Sequence, residues 1–169
     1  VSRCLEAGFY YLHLWSVNRS INNAYDLSVE ISNQGCCMDD PSEDDDGPNQ
    51  ANDAQNGSEF ESRKICPGDE DWYRINIDAG QQIVADVLFD HAEPGDDLDV
   101  FVYDTDGVTN LTPCCNVNNG QSTTNDEHLE YTVQQSGTFY IVIRGYRNAS
   151  NDYAASFAIR NPPAEPPPG

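Results

Sequence analysis

Gly137-Thr138-Phe139-Tyr140-Ile141-Val142-Ile143-Arg144 is the stretch on which the reading of the fold turns. Aromatic and β-branched side chains fill it, and the turn Ser136-Gly137 bounds it. It reads as a strand. On its N-terminal side, Leu129-Glu130-Tyr131-Thr132-Val133 alternates apolar and polar residues, the period of a strand with one buried face. Further back come three more strands: Leu98–Tyr103 after the turn Pro94-Gly95-Asp96-Asp97, then Ile83–Phe89, then Trp72–Ile77 before Asp78-Ala79-Gly80. Tyr153–Ile159 follows on the C-terminal side. No segment carries the 3.6-residue period of a helix. Short strands at this spacing, joined by Gly, Pro and Asp turns, predict an all-β antiparallel sandwich.

The same pattern occurs a second time. Gly8-Phe9-Tyr10-Tyr11-Leu12-His13-Leu14 matches Gly137–Ile143, and Tyr25-Asp26-Leu27-Ser28-Val29-Glu30-Ile31 matches Tyr153–Ile159. Residues 1–33 are therefore expected to form the C-terminal hairpin of a preceding repeat. Residues 34–60, rich in Asp, Asn and Gln, are expected to be an acidic linker. Residues 61–160 would then be one complete sandwich, and residues 161–169 a stiff Pro-rich tail. A two-stranded fragment is marginally stable alone, and its open edge invites pairing with another copy of the chain.

Charge excludes some partners. With 29 acidic against 8 basic residues the formal net charge is −21, and Lys64 is the sole lysine. Neutralising nucleic-acid phosphates takes clustered Lys and Arg, so that partner is excluded, and an anionic membrane surface is disfavoured for the same reason. No apolar run is long enough for membrane insertion. The carboxylates have two readings: a solvated surface, or oxygen ligands converging on a hard cation such as Ca²⁺. Six cysteines (Cys4, Cys36, Cys37, Cys66, Cys114 and Cys115) without metal-type spacing point to disulfides and an oxidising compartment. A bridge from Cys66 to one member of the Cys114-Cys115 pair would tie down a long loop. The other member would be left for Cys36 or Cys37, with Cys4 taking the last partner.

Residues 61–160 resemble the bacterial pre-peptidase C-terminal domain. The resemblance rests on Cys66-Pro67-Gly68-Asp69-Glu70-Asp71-Trp72-Tyr73, Ala79-Gly80, Gly95-Asp96-Asp97-Leu98-Asp99-Val100-Phe101-Val102-Tyr103, and Ser136–Ile143 with Tyr153. It implies a jelly-roll-like β-sandwich. The collagen-binding domains of clostridial collagenases are similar to this family and hold Ca²⁺ with linker acids and aspartates near the first core strand. On that likeness the ligands here would be Asp44, Asp46, Asn52 and Asp53 from the linker, with Asp69 and Asp71.

No nucleophile elbow, zinc-peptidase helix motif or phosphate loop occurs, and His13, His91 and His128 stand apart from one another. The expectation is a non-catalytic accessory module of a secreted or surface bacterial protein, one class being peptidases. It would bind an extracellular polymer or a cell-surface protein, with Trp15, Tyr103 and Tyr146 as contact residues. The alternative is a structural repeat of an extracellular fibre, stalk or adhesin that pairs with copies of itself.

Overall fold

The computed structural model describes residues 9–14, 24–29, 37–93 and 95–161. The chain divides into two units, residues 1–37 and 38–169. In the first unit, residues 9–14 and 24–29 carry no strand, and Phe9, Tyr11, Leu12, Leu27 and Val29 are exposed. Most of the hairpin expected over residues 1–33 lies outside the described residues.

Among its described residues the second unit holds eight strands: β1 (Asn52–Ala54), β2 (Ser58–Ile65), β3 (Glu70–Ile77), β4 (Gln82–Leu88), β5 (Leu98–Tyr103), β6 (Glu127–Thr132), β7 (Gly137–Gly145) and β8 (Asn151–Arg160). They form two four-stranded sheets, β1-β3-β7-β5 and β2-β8-β4-β6. Every pairing is antiparallel except that of β1 with β3. The arrangement is a β-sandwich of the jelly-roll-like kind. The decisive stretch is β7, flanked by β3 and β5. Phe139, Ile141 and Ile143 face the core, while Val142 is buried on the outer side beneath Ala51, Trp72, Tyr103 and Tyr140. Burial on both faces explains why its apolar run hardly alternates.

Between the sheets, Tyr73, Ile75, Ile77, Leu98, Val100 and Val102 meet Ile83, Ala85, Val87, Leu129, Ala155 and Phe157. Phe157 and Tyr73 meet edge to face at 5.0 Å, a favoured aromatic geometry. Strands from β3 onward lie where the sequence places them. The linker expected over 34–60 does not stay unstructured: it contains β1 and the start of β2. The β2 pattern Ser-Glu-Phe-Glu-Ser-Arg-Lys-Ile was unreadable because a bulge shifts its register between Phe60 and Arg63. Ser62 sits there at φ +57°, so one residue too many breaks the alternation.

Candidate metal centre

Asp71 is an inward-facing residue at the start of β3, on the side that Tyr73, Ile75 and Ile77 give to the core. Its carboxylate is fully buried at the rim of the sandwich. The Tyr153 hydroxyl donates to Asp71 Oδ2, and Tyr153 and Tyr73 share a hydroxyl pair at 2.7 Å. Burial first, then the nearby Asp45, Asp69 and Glu43, push the Asp71 carboxyl up to about 9 against the hydrogen bond from Tyr153. Just before it, the turn after β2 is closed by Asp69, whose N–H donates to Cys66 O at 3.1 Å. The Asp69 carboxylate accepts the Cys66 N–H at 3.2 Å. Gly68 at φ +91° supplies the left-handed residue that this turn requires. Burial, and next the hydrogen bond with Asp46, raise Asp69 to about 8.

A second piece of chain covers this rim. Asp40 N–H donates to Asp39 Oδ1 at 3.1 Å, and Ser42 N–H to Asp40 Oδ1 at 2.9 Å, folding the start of the acidic run by local side-chain bonds. Asp40 also accepts the Lys64 N–H at 2.9 Å and pairs with Arg63 at 3.2 Å, which anchors the run to β2. On the other side the Trp72 N–H donates to Asp45 O at 3.1 Å, anchoring it to β3. Clamped between one strand of each sheet, the run lays Asp39, Glu43, Asp45 and Asp46 against Asp69 and Asp71, while Asp44 is exposed beside Glu43 and Asp46.

Three sets of carboxylate oxygens each lie within 4.8 Å of one another: Asp39, Glu43 and Asp69; Glu43, Asp44 and Asp46; Glu43, Asp45 and Asp71. Ca²⁺ holds oxygens at 2.3–2.6 Å, so ligands on opposite sides of one ion stand about 5 Å apart. These separations fit. Glu43 belongs to all three sets. Its Oε1, Asp45 Oδ1 and Asp71 Oδ1 are buried without a hydrogen-bond partner. Burial is the main cause that lifts Glu43 to about 7 and Asp45 to about 6; Asp45 also pushes Glu43 up, while Arg63 pulls Asp45 down. Buried carboxylates without partners are costly. An all-oxygen donor set with orphaned atoms turned inward suits a hard divalent cation.

Of the residues singled out from the sequence, Asp44 and Asp46 share a set with Glu43, Asp69 shares one with Asp39 and Glu43, and Asp71 shares one with Glu43 and Asp45. Asp53 belongs to none of these sets, and Asn52 lies beside them. Asn52 serves a neighbour, its amide donating to Asp45 Oδ2. Asp53 stands opposite Arg74 in the β1–β3 register and forms a 2.6 Å ion pair with it. That register leaves the Asp53 side chain exposed beside Arg74. Asp39, Glu43 and Asp45 were not singled out from the sequence, although the run Glu43-Asp44-Asp45-Asp46 carried the signal.

Other expected residues lie elsewhere. Tyr103 packs half-buried on Trp72, ring centres 5.0 Å apart, and Tyr146 lies at the surface with the Arg147 guanidinium 5.0 Å from its ring. Trp15, Cys4 and Cys36 lie outside the described residues. Cys37 and Cys66 are disulfide-bonded, and Cys114 and Cys115 are joined to each other. The expected bridge from Cys66 to the Cys114-Cys115 loop is therefore not made. That loop lies along β5 and β6, whereas Cys66 leads into β3, and β7 separates β3 from β5. Buried Asp97, Asp99 and Glu127 form no three-ligand set among the described residues.

Residues 69–145 match the family model for the bacterial pre-peptidase C-terminal domain. No curated protein matches the chain. Among solved structures, the pre-peptidase C-terminal domain of a collagenase from Bacillus anthracis is similar at 16% identity and a TM-score of 0.46, covering 65% of this chain and 94% of that one. PliG of Salmonella Typhimurium, a periplasmic inhibitor of g-type lysozyme, is similar at 17% identity and a TM-score of 0.43, covering 65% and 99%. No helix among the described residues is long and apolar enough to cross a membrane.

Proposed function

From the match of residues 69–145 to the bacterial pre-peptidase C-terminal domain, we propose that the chain is a non-catalytic accessory module stabilised by Ca²⁺. In this reading it serves a secreted or surface protein and binds an extracellular polymer or a cell-surface protein. The observation that carries the calcium reading is the convergence of Glu43, Asp45 and Asp71, each with a buried oxygen lacking a partner. When bound, the ion supplies the positive charge that lets these carboxylates ionise together. Asp69 and Asp71 present their oxygens from the sandwich, and Asp39, Glu43, Asp44, Asp45 and Asp46 present theirs from the covering run. Holding the ion then also holds that run against β2 and β3.

The test is calorimetric titration of chelator-treated protein with CaCl₂. Heat that saturates, lost in a Glu43→Gln variant, supports the reading. A flat trace with an unchanged melting temperature overturns it. One observation favours a second role, as a repeat unit that assembles with other copies: Phe9, Tyr11, Leu12, Leu27 and Val29, in the segments that repeat β7 and β8, are exposed. A monomer by light scattering across a wide concentration range would remove that role without touching the calcium site.

A further inference from the structure

Cys114 and Cys115 form a disulfide between adjacent residues. A crosslink stabilises a fold largely by restricting the unfolded chain, and it does so more as the enclosed loop lengthens. A bridge across one peptide bond encloses almost nothing, so it cannot act as a staple of the sandwich. The loop around it is already fastened without it. Leu111 N–H donates to Val102 O at 2.8 Å, Val102 N–H to Thr112 Oγ1 at 2.9 Å, and Val100 N–H to Gly120 O at 2.7 Å. Buried Gln121 ties the two limbs together, donating to Thr112 O at 2.9 Å and accepting the Asn116 N–H at 3.0 Å. Asn119 is bonded to the β6 backbone at Glu130. Above this base Pro113, Cys114, Cys115, Asn116, Val117 and Asn118 are all exposed.

The charge of this lobe sets it apart. The nineteen residues from Gly107 to Asn125 contain no Asp, Glu, Lys, Arg or His, in a chain whose net charge is −21. An attacking thiol reacts as its anion, which carboxylates beside the sulfur atoms would repel. Here neither neighbouring sequence nor burial stands in its way, and access is a main determinant of exchange.

We propose that the Cys114–Cys115 disulfide is a thiol-exchange site, open to small thiols or to the exposed thiol of a partner, and is not a structural crosslink. The thiolate bonds to one Sγ, the S–S bond breaks, and its electron pair leaves on the other Sγ as a thiolate. That thiolate either closes the ring again and expels the attacker, or remains while a second external thiolate bonds to the attacker's sulfur, breaking the mixed disulfide so that its electron pair leaves on the first Sγ. The second route yields an external disulfide and the Cys114/Cys115 dithiol. Two electrons and, after protonation, two protons have then passed to the protein.

The test is graded reduction of the intact folded chain with dithiothreitol at pH 8, alkylation with iodoacetamide, and peptide mapping. Expected is a range of dithiothreitol concentration in which Cys114 and Cys115 carry the label and Cys37 and Cys66 do not, with the melting temperature moved by no more than about 2 °C. Joint labelling of all cysteines at one concentration overturns the proposal. So does a map of the oxidised protein that joins Cys114 or Cys115 to any other cysteine. A C114S/C115S variant provides an independent measurement: it should melt with the parent and take no label in that range. A loss of folding in the double variant would show that the bridge is structural, and the proposal would fall.

Discussion

Raising the pH of the calcium-free protein should destabilise it, and Ca²⁺ should undo the loss. Asp71 carries the simplest form of the argument. Its carboxyl titrates near 3.9 in an unfolded chain, and burial lifts it to about 9 in the fold. Between those values the folded state holds a proton that the unfolded state has released. Stability is therefore fully present below pH ~4 and is lost as pH rises toward 9, at about 1.4 kcal/mol per pH unit for one such proton. From pH 6 to pH 8 that amounts to roughly 2.7 kcal/mol, or a fall in melting temperature of about 10 °C for a domain of this size. Glu43, at about 7, and Asp69, at about 8, add in the same direction. Ca²⁺ at a hundred times its Kd would return about 2.7 kcal/mol. Its binding should also release protons, more at pH 6 than at pH 8, so affinity should climb with pH. The assays are differential scanning calorimetry at pH 6, 7 and 8 with chelator or Ca²⁺, and titration in two buffers of different ionisation enthalpy. A calcium-free melting temperature that is flat or rises with pH would refute the burial argument. One that falls with pH but ignores Ca²⁺ would leave the burial argument standing and remove the metal.

Three substitutions separate the parts of this account. Asp71→Asn should make the pH profile of the calcium-free protein shallower, leaving the part due to Glu43 and Asp69, and lower Ca²⁺ affinity at least tenfold, read by calorimetry. Asp53→Ala removes an exposed partner of Arg74 and should leave both melting temperature and Ca²⁺ affinity unchanged; a tenfold loss of affinity would return Asp53 to the ligand set. Gly145→Ala places a methyl group 2.0 Å from the Ala149 carbonyl oxygen, a backbone clash, and should cost about 2–3 kcal/mol in urea unfolding.

The strands that the sequence predicts are those whose side chains must satisfy one or two buried faces. In β7, β5 and β3 the core face dictates residue type strongly enough to be read directly. β1 and β2 escaped because neither writes its geometry in hydrophobicity. β1 is three residues, Asn-Asp-Ala, that pair in parallel with β3, and β2 loses its period at the Ser62 bulge. The carboxylate cluster was half legible for a similar reason. Asp69 and Asp71 sit in a turn and strand whose positions were predicted. Choosing among the acids of the 39–53 run required knowing which would be carried over the rim, and only the anchoring of Asp40 to β2 and of Asp45 O to β3 decides that. The vicinal disulfide was misread for want of tertiary distance: nothing in the spacing of six cysteines says that Cys66 and the Cys114-Cys115 loop belong to strands separated by β7.

Because the proposed ligands come from two pieces of chain, the ion and the covering run should stabilise each other reciprocally. Trp72 reports on this. Its side chain lies on the outer face of β3, 5% exposed, beneath Ala51 and beside Tyr103 and Tyr140, and its indole N–H donates to Glu70 at 3.1 Å. Its backbone N–H is bonded to Asp45 O within the same run. Removing Ca²⁺ should leave the clustered carboxylates repelling one another and loosen the run from residue 39 to β1, while the sandwich, held by its own core, stays folded. In a Trp15→Phe variant, where Trp72 is the sole indole, chelation at pH 8 should shift the emission to the red and speed amide exchange at Trp72 and in β1. Exchange in β7 and β8 should hold steady. An emission spectrum indifferent to chelation, in protein that demonstrably binds Ca²⁺, would mean that the run is held by Asp40, Arg63 and β1 alone, and that the ion secures nothing beyond its own ligands.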